Sequence, residues 1–88
     1  MKKTLRTEWN KIYIQENNII TVERTKRLSI STLVTKWGAM DEYNNTLAKV
    51  GYYTEHEIDT IENLLKDNGF VINKRVASST NLTIFRKA

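Results

Sequence analysis

The chain has 88 residues, 40% hydrophobic and 27% charged, with a net charge of +4 and neither cysteine nor proline. A chain of that length supports one hydrophobic core, hence one domain over residues 1–88. Without cysteine there is no disulfide, thiolate metal site or cysteine nucleophile, and no apolar run approaches the ~20 residues a membrane helix needs. Met1, Lys2, Lys3 and Thr4 start as a secretory leader starts, but no apolar stretch follows, so the expected location is cytoplasmic. Asn, Lys and Ile each occur nine times. That bias is typical of AT-rich coding DNA and points to a phage or mobile element of a low-GC bacterium.

Residues 1–10 are basic and weakly patterned. Ile12 and Ile14 alternate with Lys11, Tyr13 and Gln15, which predicts a strand over 11–15. Asn17 and Asn18 suit a turn because asparagine tolerates left-handed backbone angles. Residues 19–24 then return as the second strand of a hairpin. After a turn at 25–27, the β-branched run 28–35 predicts a third strand, giving an N-terminal meander. In residues 39–50, Met40, Tyr43, Leu47 and Val50 recur at helical spacing, which predicts a short helix.

Residues 53–70 carry the strongest local signals. Thr54 and Glu57 have the spacing of a capping box. Ile58, Ile61, Leu64 and Leu65 form an apolar stripe, and Gly69 suits the left-handed residue after a helix end. The expected helix covers 54–68. Residues 70–76 and 81–87 then form a second hairpin across a turn at 77–80.

The expected fold is therefore α+β: an antiparallel sheet of about five strands (N-terminal meander plus C-terminal hairpin), with the main and the short helix on one face. Its expected core is Ile12, Ile14, Ile20, Val22, Leu28, Ile30, Ile58, Ile61, Leu64, Leu65, Phe70, Ile72, Leu82 and Ile84. The alternative is winged-helix-like. The order helix 39–50, turn, helix 54–68, hairpin 70–87 is that of a winged helix, and the run from Leu64 to Ile72 resembles the junction of recognition helix and wing. Yet the helix in the recognition position carries Glu55, Glu57, Asp59, Glu62 and Asp67 against Lys66, and duplex phosphates would repel it.

Catalytic chemistry lacks its parts. His56 is the single histidine, and its neighbours Glu55 and Glu57 do not face it on a helix. Glu55, Asp59 and Glu62 share a helical face, read as solvated and not as a cation site. The serines have no base, and the three glycines form no phosphate loop. No catalytic residue, metal or cofactor is expected; the chain reads as a non-enzymatic binding protein.

Its charge is polarised: residues 1–30 sum to +4, 31–69 to −4 and 70–88 to +4. The expected partner is nucleic acid, held on a basic sheet face by Lys11, Tyr13, Arg24, Lys26, Arg27, Lys74, Arg75, Phe85 and Lys87. Interleaved cations and aromatics suit the phosphates and bases of a single strand. The alternative partner is a host nucleic-acid-handling protein that the chain inhibits or regulates. It would be gripped by Trp37, Tyr43, Tyr52, Tyr53, Glu55 and Glu62, since Tyr and Trp are enriched at interface hot spots. No membrane partner is expected, and a homodimer stays open.

Overall fold

The computed structural model describes residues 2–27, 34–77 and 80–87, with side chains over 2–27, 34–73 and 83–86. Within them, seven strands and one helix follow in the order β1 (Lys3–Arg6), β2 (Asn10–Ile14), β3 (Ile20–Arg24), β4 (Thr35–Met40), β5 (Thr46–Tyr53), α1 (Glu55–Asp67), β6 (Phe70–Ala77) and β7 (Thr80–Lys87). The strands form a single sheet in the spatial order β1-β2-β3-β5-β4-β7-β6. The three hairpins β2–β3, β4–β5 and β6–β7 are antiparallel, as is β1 on β2, whereas β3 meets β5 and β4 meets β7 in parallel.

This overturns the five-stranded antiparallel sheet with two helices. The short helix does not exist. Residues 39–50 are the end of β4, a turn and most of β5. Asp41 decides the matter locally: its Oδ1 accepts from the backbone N–H of Tyr43 (2.9 Å) and Asn45 (2.8 Å), and its Oδ2 from Asn45 Nδ2 (3.0 Å). Asn44 takes the left-handed φ of 66°. Such side-chain-to-backbone bonds offer the chain a turn in place of a helix, and they hold the Asp41 carboxyl below its ordinary pKa, with the Asn45 side chain the main cause. Without that first helix the winged-helix alternative falls too.

The third strand expected at 28–35 lies mostly outside the described residues, as do the expected core residues Leu28 and Ile30 and the side chain of Leu82. Strand β1, which sequence reading left unpatterned, takes the place beside β2 through pairs such as Leu5↔Ile12.

Helix α1 forms as its capping residues dictate. Thr54 Oγ1 accepts from the Glu57 N–H (3.1 Å), and Glu57 Oε1 accepts from the Thr54 N–H (2.9 Å). Gly69 follows with φ 88°, a conformation that carries little penalty only without a Cβ. The helix lies against β6 and β2 and covers the inner face of the sheet.

The core beneath it holds Ile12, Ile14, Ile20, Ile61, Leu65 and Phe70 as expected, with Val22, Ile58, Leu64 and Ile72 packed at its margin. Trp37, Ala39, Leu47, Ala48 and Phe85 join them. On β7 the expected face is reversed: Thr83 and Phe85 are buried while Ile84 is half-exposed. Phe85 sits opposite Ile72 and meets Trp37 and Phe70 edge-on, at centroid distances of 6.1 and 6.4 Å. The largest ring of the strand fills the inner layer, so the smaller Ile84 turns outward.

Candidate functional site

Strand alternation sorts every side chain to one of two faces. The inner face, under α1, is closed by two buried glutamates of the helix. Glu57 is 1% exposed. Its Oε2 accepts from Asn10 Nδ2 (2.8 Å) and Arg24 Nε (3.1 Å), and its Oε1 accepts from Arg24 Nη2 (3.1 Å) as well as from Thr54. Burial alone would raise its pKa, but the hydrogen bonds from Arg24, the Thr54 amide and Asn10 outweigh burial and hold the carboxyl below its ordinary value. Glu62 Oε2 accepts from Trp37 Nε1 (3.1 Å) and Thr83 Oγ1 (2.7 Å). These donors come from distant strands and fasten the helix to the sheet.

Several sequence-derived assignments are thereby corrected. Arg24 is drawn into this network and donates a further bond from Nη2 to the Tyr52 carbonyl (2.8 Å). Phe85 is core, so no nucleic acid stacks on it. Of the alternative protein-binding set, Trp37 and Glu62 are buried against each other. Tyr53 is half-buried, edge-on to Trp37 at 5.8 Å and beneath the Arg24 guanidinium at 5.5 Å; burial pushes its hydroxyl pKa up. Glu55, Tyr43 and Tyr52 are exposed. Glu62 also leaves the acidic helix face that it was expected to share with Glu55 and Asp59, and His56 packs edge-on against Trp9 with centroids 4.4 Å apart. Among the described residues no group of three or more His, Asp or Glu is placed to hold a metal ion.

The outer face is different in kind. Tyr13 and Lys11 project from it on β2, with Lys11 Nζ 5.2 Å from the Tyr13 ring centroid. Across the sheet, Lys36 of β4 pairs with Tyr52 of β5, and Lys36 Nζ stands 5.7 Å from the Tyr52 centroid. Arg6 lies opposite Lys11 and Arg86 opposite Val71, both exposed. Glu23, which receives a long bond from the Tyr13 hydroxyl (3.4 Å), is the only acid in the seven described strands.

Of the other expected cations, Lys26 and Arg27 follow β3. Lys26 pairs with Glu8 at 3.4 Å between exposed side chains, and Arg27 is exposed in the segment after β3. Lys74, Arg75 and Lys87 belong to β6 and β7 by backbone, with side chains outside the described set. Sequence reading missed Lys36 and Arg6 because it ended a strand at residue 35 and left residues 1–10 without one, and Arg86 because it turned the Ile84 face of β7 inward. The signal it passed over was the distribution of acids, nearly all of which lie in turns or in α1.

Among the clefts on the surface of the described residues are three. One of about 450 Å³ lies beside Tyr13, with Lys2, Lys3, Thr4 and Thr21 around it. Another of about 320 Å³ separates β3 from β5. The third, about 520 Å³, lies between the β2–β3 and β4–β5 turns, walled by Asn18, Asp41, Tyr43 and Arg86 over Leu47 and Phe70. No described helix is long and apolar enough to cross a membrane. No protein-family model, curated protein or solved structure matches the chain.

Proposed function

We propose that this protein binds single-stranded nucleic acid on the outer face of its sheet. The observation that carries this reading is the pairing of lysine with tyrosine twice on that face, Lys11 with Tyr13 and Lys36 with Tyr52. A base stacked on either ring gains roughly 1–3 kcal/mol and brings its phosphate within reach of the adjacent ammonium. Arg6 and Arg86 extend the cationic surface, while the acids of α1 occupy the opposite side of the molecule and orient it toward a polyanion. A single strand fits better than a duplex, because unpaired bases are needed to reach the rings.

If Arg6, Lys11, Lys36 and Arg86 each neutralise one phosphate, the logarithmic salt slope for a single strand is about −3, so raising salt from ~50 to ~200 mM weakens binding about 50-fold. Fluorescence anisotropy with labelled single-stranded DNA, RNA and duplex DNA at those two salt concentrations measures this. Lys11→Glu with Lys36→Glu should abolish binding, and Glu55→Lys with Asp59→Lys should not weaken it. Absence of binding at ~50 mM salt would refute the proposal. A protein partner would then be the better reading, favoured by Tyr43 and Tyr52, which stand 76% and 58% exposed.

A further inference from the structure

The sheet is continuous in order but not in pairing. Between β3 and β5 the registered pairing is confined to Ile20 and Ala48, and beyond it the two parallel strands diverge around a cleft of about 320 Å³. The Tyr52 carbonyl shows what this does to the backbone. Inside a closed sheet it would accept from the neighbouring strand, but here it accepts from the Arg24 side chain. Strand alternation directs the main-chain groups of Val50 to the same side as those of Tyr52. Val50 itself lines the cleft, whose walls also include Thr21, Val22, Lys49 and Tyr53. Main-chain polar groups facing a gap of this kind need partners from water or from a ligand.

The position of the gap suggests the ligand. Thr21 is registered opposite Tyr13 on β2, and Tyr52 lies two residues beyond Val50 on β5, so the gap runs between the two lysine–tyrosine pairs. Lys49 adds an exposed ammonium at its rim. We infer that the cleft between β3 and β5 is a base-reading subsite: one nucleobase of the bound strand enters it edge-on and hydrogen-bonds to main-chain groups, Val50 among them, while its neighbours stack on Tyr13 and Tyr52. The volume lies at the low end of small-ligand sites, roughly 300–1,000 Å³, and is enough for one base. Flat rings alone tolerate any base. A backbone edge with fixed donors and acceptors does not.

This inference rests on the nucleic-acid reading, and one titration separates the two. Labelled homopolymers of dA, dC, dG and dT are titrated at ~50 mM salt against the wild type and against the Thr21→Met, Val50→Met variant. Both positions are exposed, so the longer side chains cover the mouth of the cleft without entering the core. The expected result is a preference of about tenfold between the best and worst homopolymer. It should shrink to within about twofold in the variant, with the loss falling on the best homopolymer. In the wild type, the best homopolymer should also shift the Val50 amide resonance more than the worst does. Homopolymers binding within about twofold of one another to the wild type would overturn the subsite and leave the proposed function standing. A preference that survives in the variant would place base reading elsewhere and overturn it too. No binding at all would remove both.

Discussion

Replacing Glu57 with glutamine keeps the shape of the side chain and reverses half of its hydrogen bonding. Each carboxylate oxygen accepts from two donors: Oε1 from the Thr54 amide and Arg24 Nη2, Oε2 from Asn10 Nδ2 and Arg24 Nε. Whichever way the new amide turns, its nitrogen confronts two donors. Breaking a buried ion pair by removing one partner costs about 3–5 kcal/mol. The low end applies, because the Arg24 side chain is 32% exposed and can turn part of its guanidinium to water. Asn10 offers a little relief, since its buried Oδ1 has no partner and an amide flip would present it to the nitrogen of the introduced glutamine. The expected cost is thus about 3 kcal/mol, against a total of roughly 4–13 kcal/mol for a chain of 88 residues. In a domain of this size that lowers the Tm by roughly 12–24 °C.

Urea unfolding followed by far-UV circular dichroism measures the difference, and pH supplies the sharper test. The Glu57 pKa is lowered on folding from an ordinary value near 4.5. Its contribution is therefore fully present above that value and fades as pH falls through the folded-state pKa, because the unfolded chain takes up the proton first. Wild type and Glu57→Gln should differ most at neutral pH and converge toward pH 3. A difference below about 1 kcal/mol at pH 7, or one that stays constant to pH 3, would refute the assignment of Glu57 as the ionised clasp between helix and sheet.

Two further substitutions test the packing on either face. Trp37→Phe removes the indole donor to the buried Glu62 and leaves space beside Tyr53 and Phe85, which should cost about 2–3 kcal/mol in urea unfolding; a loss under ~0.5 kcal/mol would show that the Trp37–Glu62 bond contributes little. Gly38→Ala would place a Cβ 2.7 Å from Val50 Cγ2 and 3.1 Å from Val50 Cα, an overpacking expected to cost about 1–3 kcal/mol. Adding Val50→Ala should recover part of that loss, since the shortest contact is to a removable methyl, and additive costs would instead place the clash in the backbone.

How much of this was legible in the sequence depends on the distance over which each decision is made. Helix α1 was readable because its determinants lie within four residues of one another: Thr54 with Glu57, and the turn before Gly69. Asn18, with φ 62°, closed the β2–β3 turn for the same reason. Residues 39–50 misled because Met40, Tyr43, Leu47 and Val50 keep helical spacing by coincidence, and the bonds of Asp41 to Tyr43 and Asn45 outweigh that pattern. Strand β7 has apolar groups on both faces, so its inner face was set by Phe85 finding Trp37 and Phe70. For the site, Lys11 and Tyr13 were visible as neighbours on one strand. Lys36 and Tyr52 meet only because β4 pairs with β5. That Glu57 and Glu62 are buried could not be seen, because their donors at Asn10, Arg24, Trp37 and Thr83 are far away in the chain.

The narrow seam between β3 and β5 also divides the molecule dynamically. On one side of it stand β1, β2 and β3; on the other, four strands joined by long registers, with α1 bridging both. With a single registered pair at the seam, the smaller section is held mainly by its apolar contact with α1 and by the Arg24–Glu57–Asn10 clasp. The domain therefore contains two units of unequal local stability, and amide exchange should register β1–β3 opening before β4 and β7. Synthesis delivers the weaker unit first, but the surface that completes it arrives only with α1, so the N-terminal strands must await the rest of the chain before they gain their final stability.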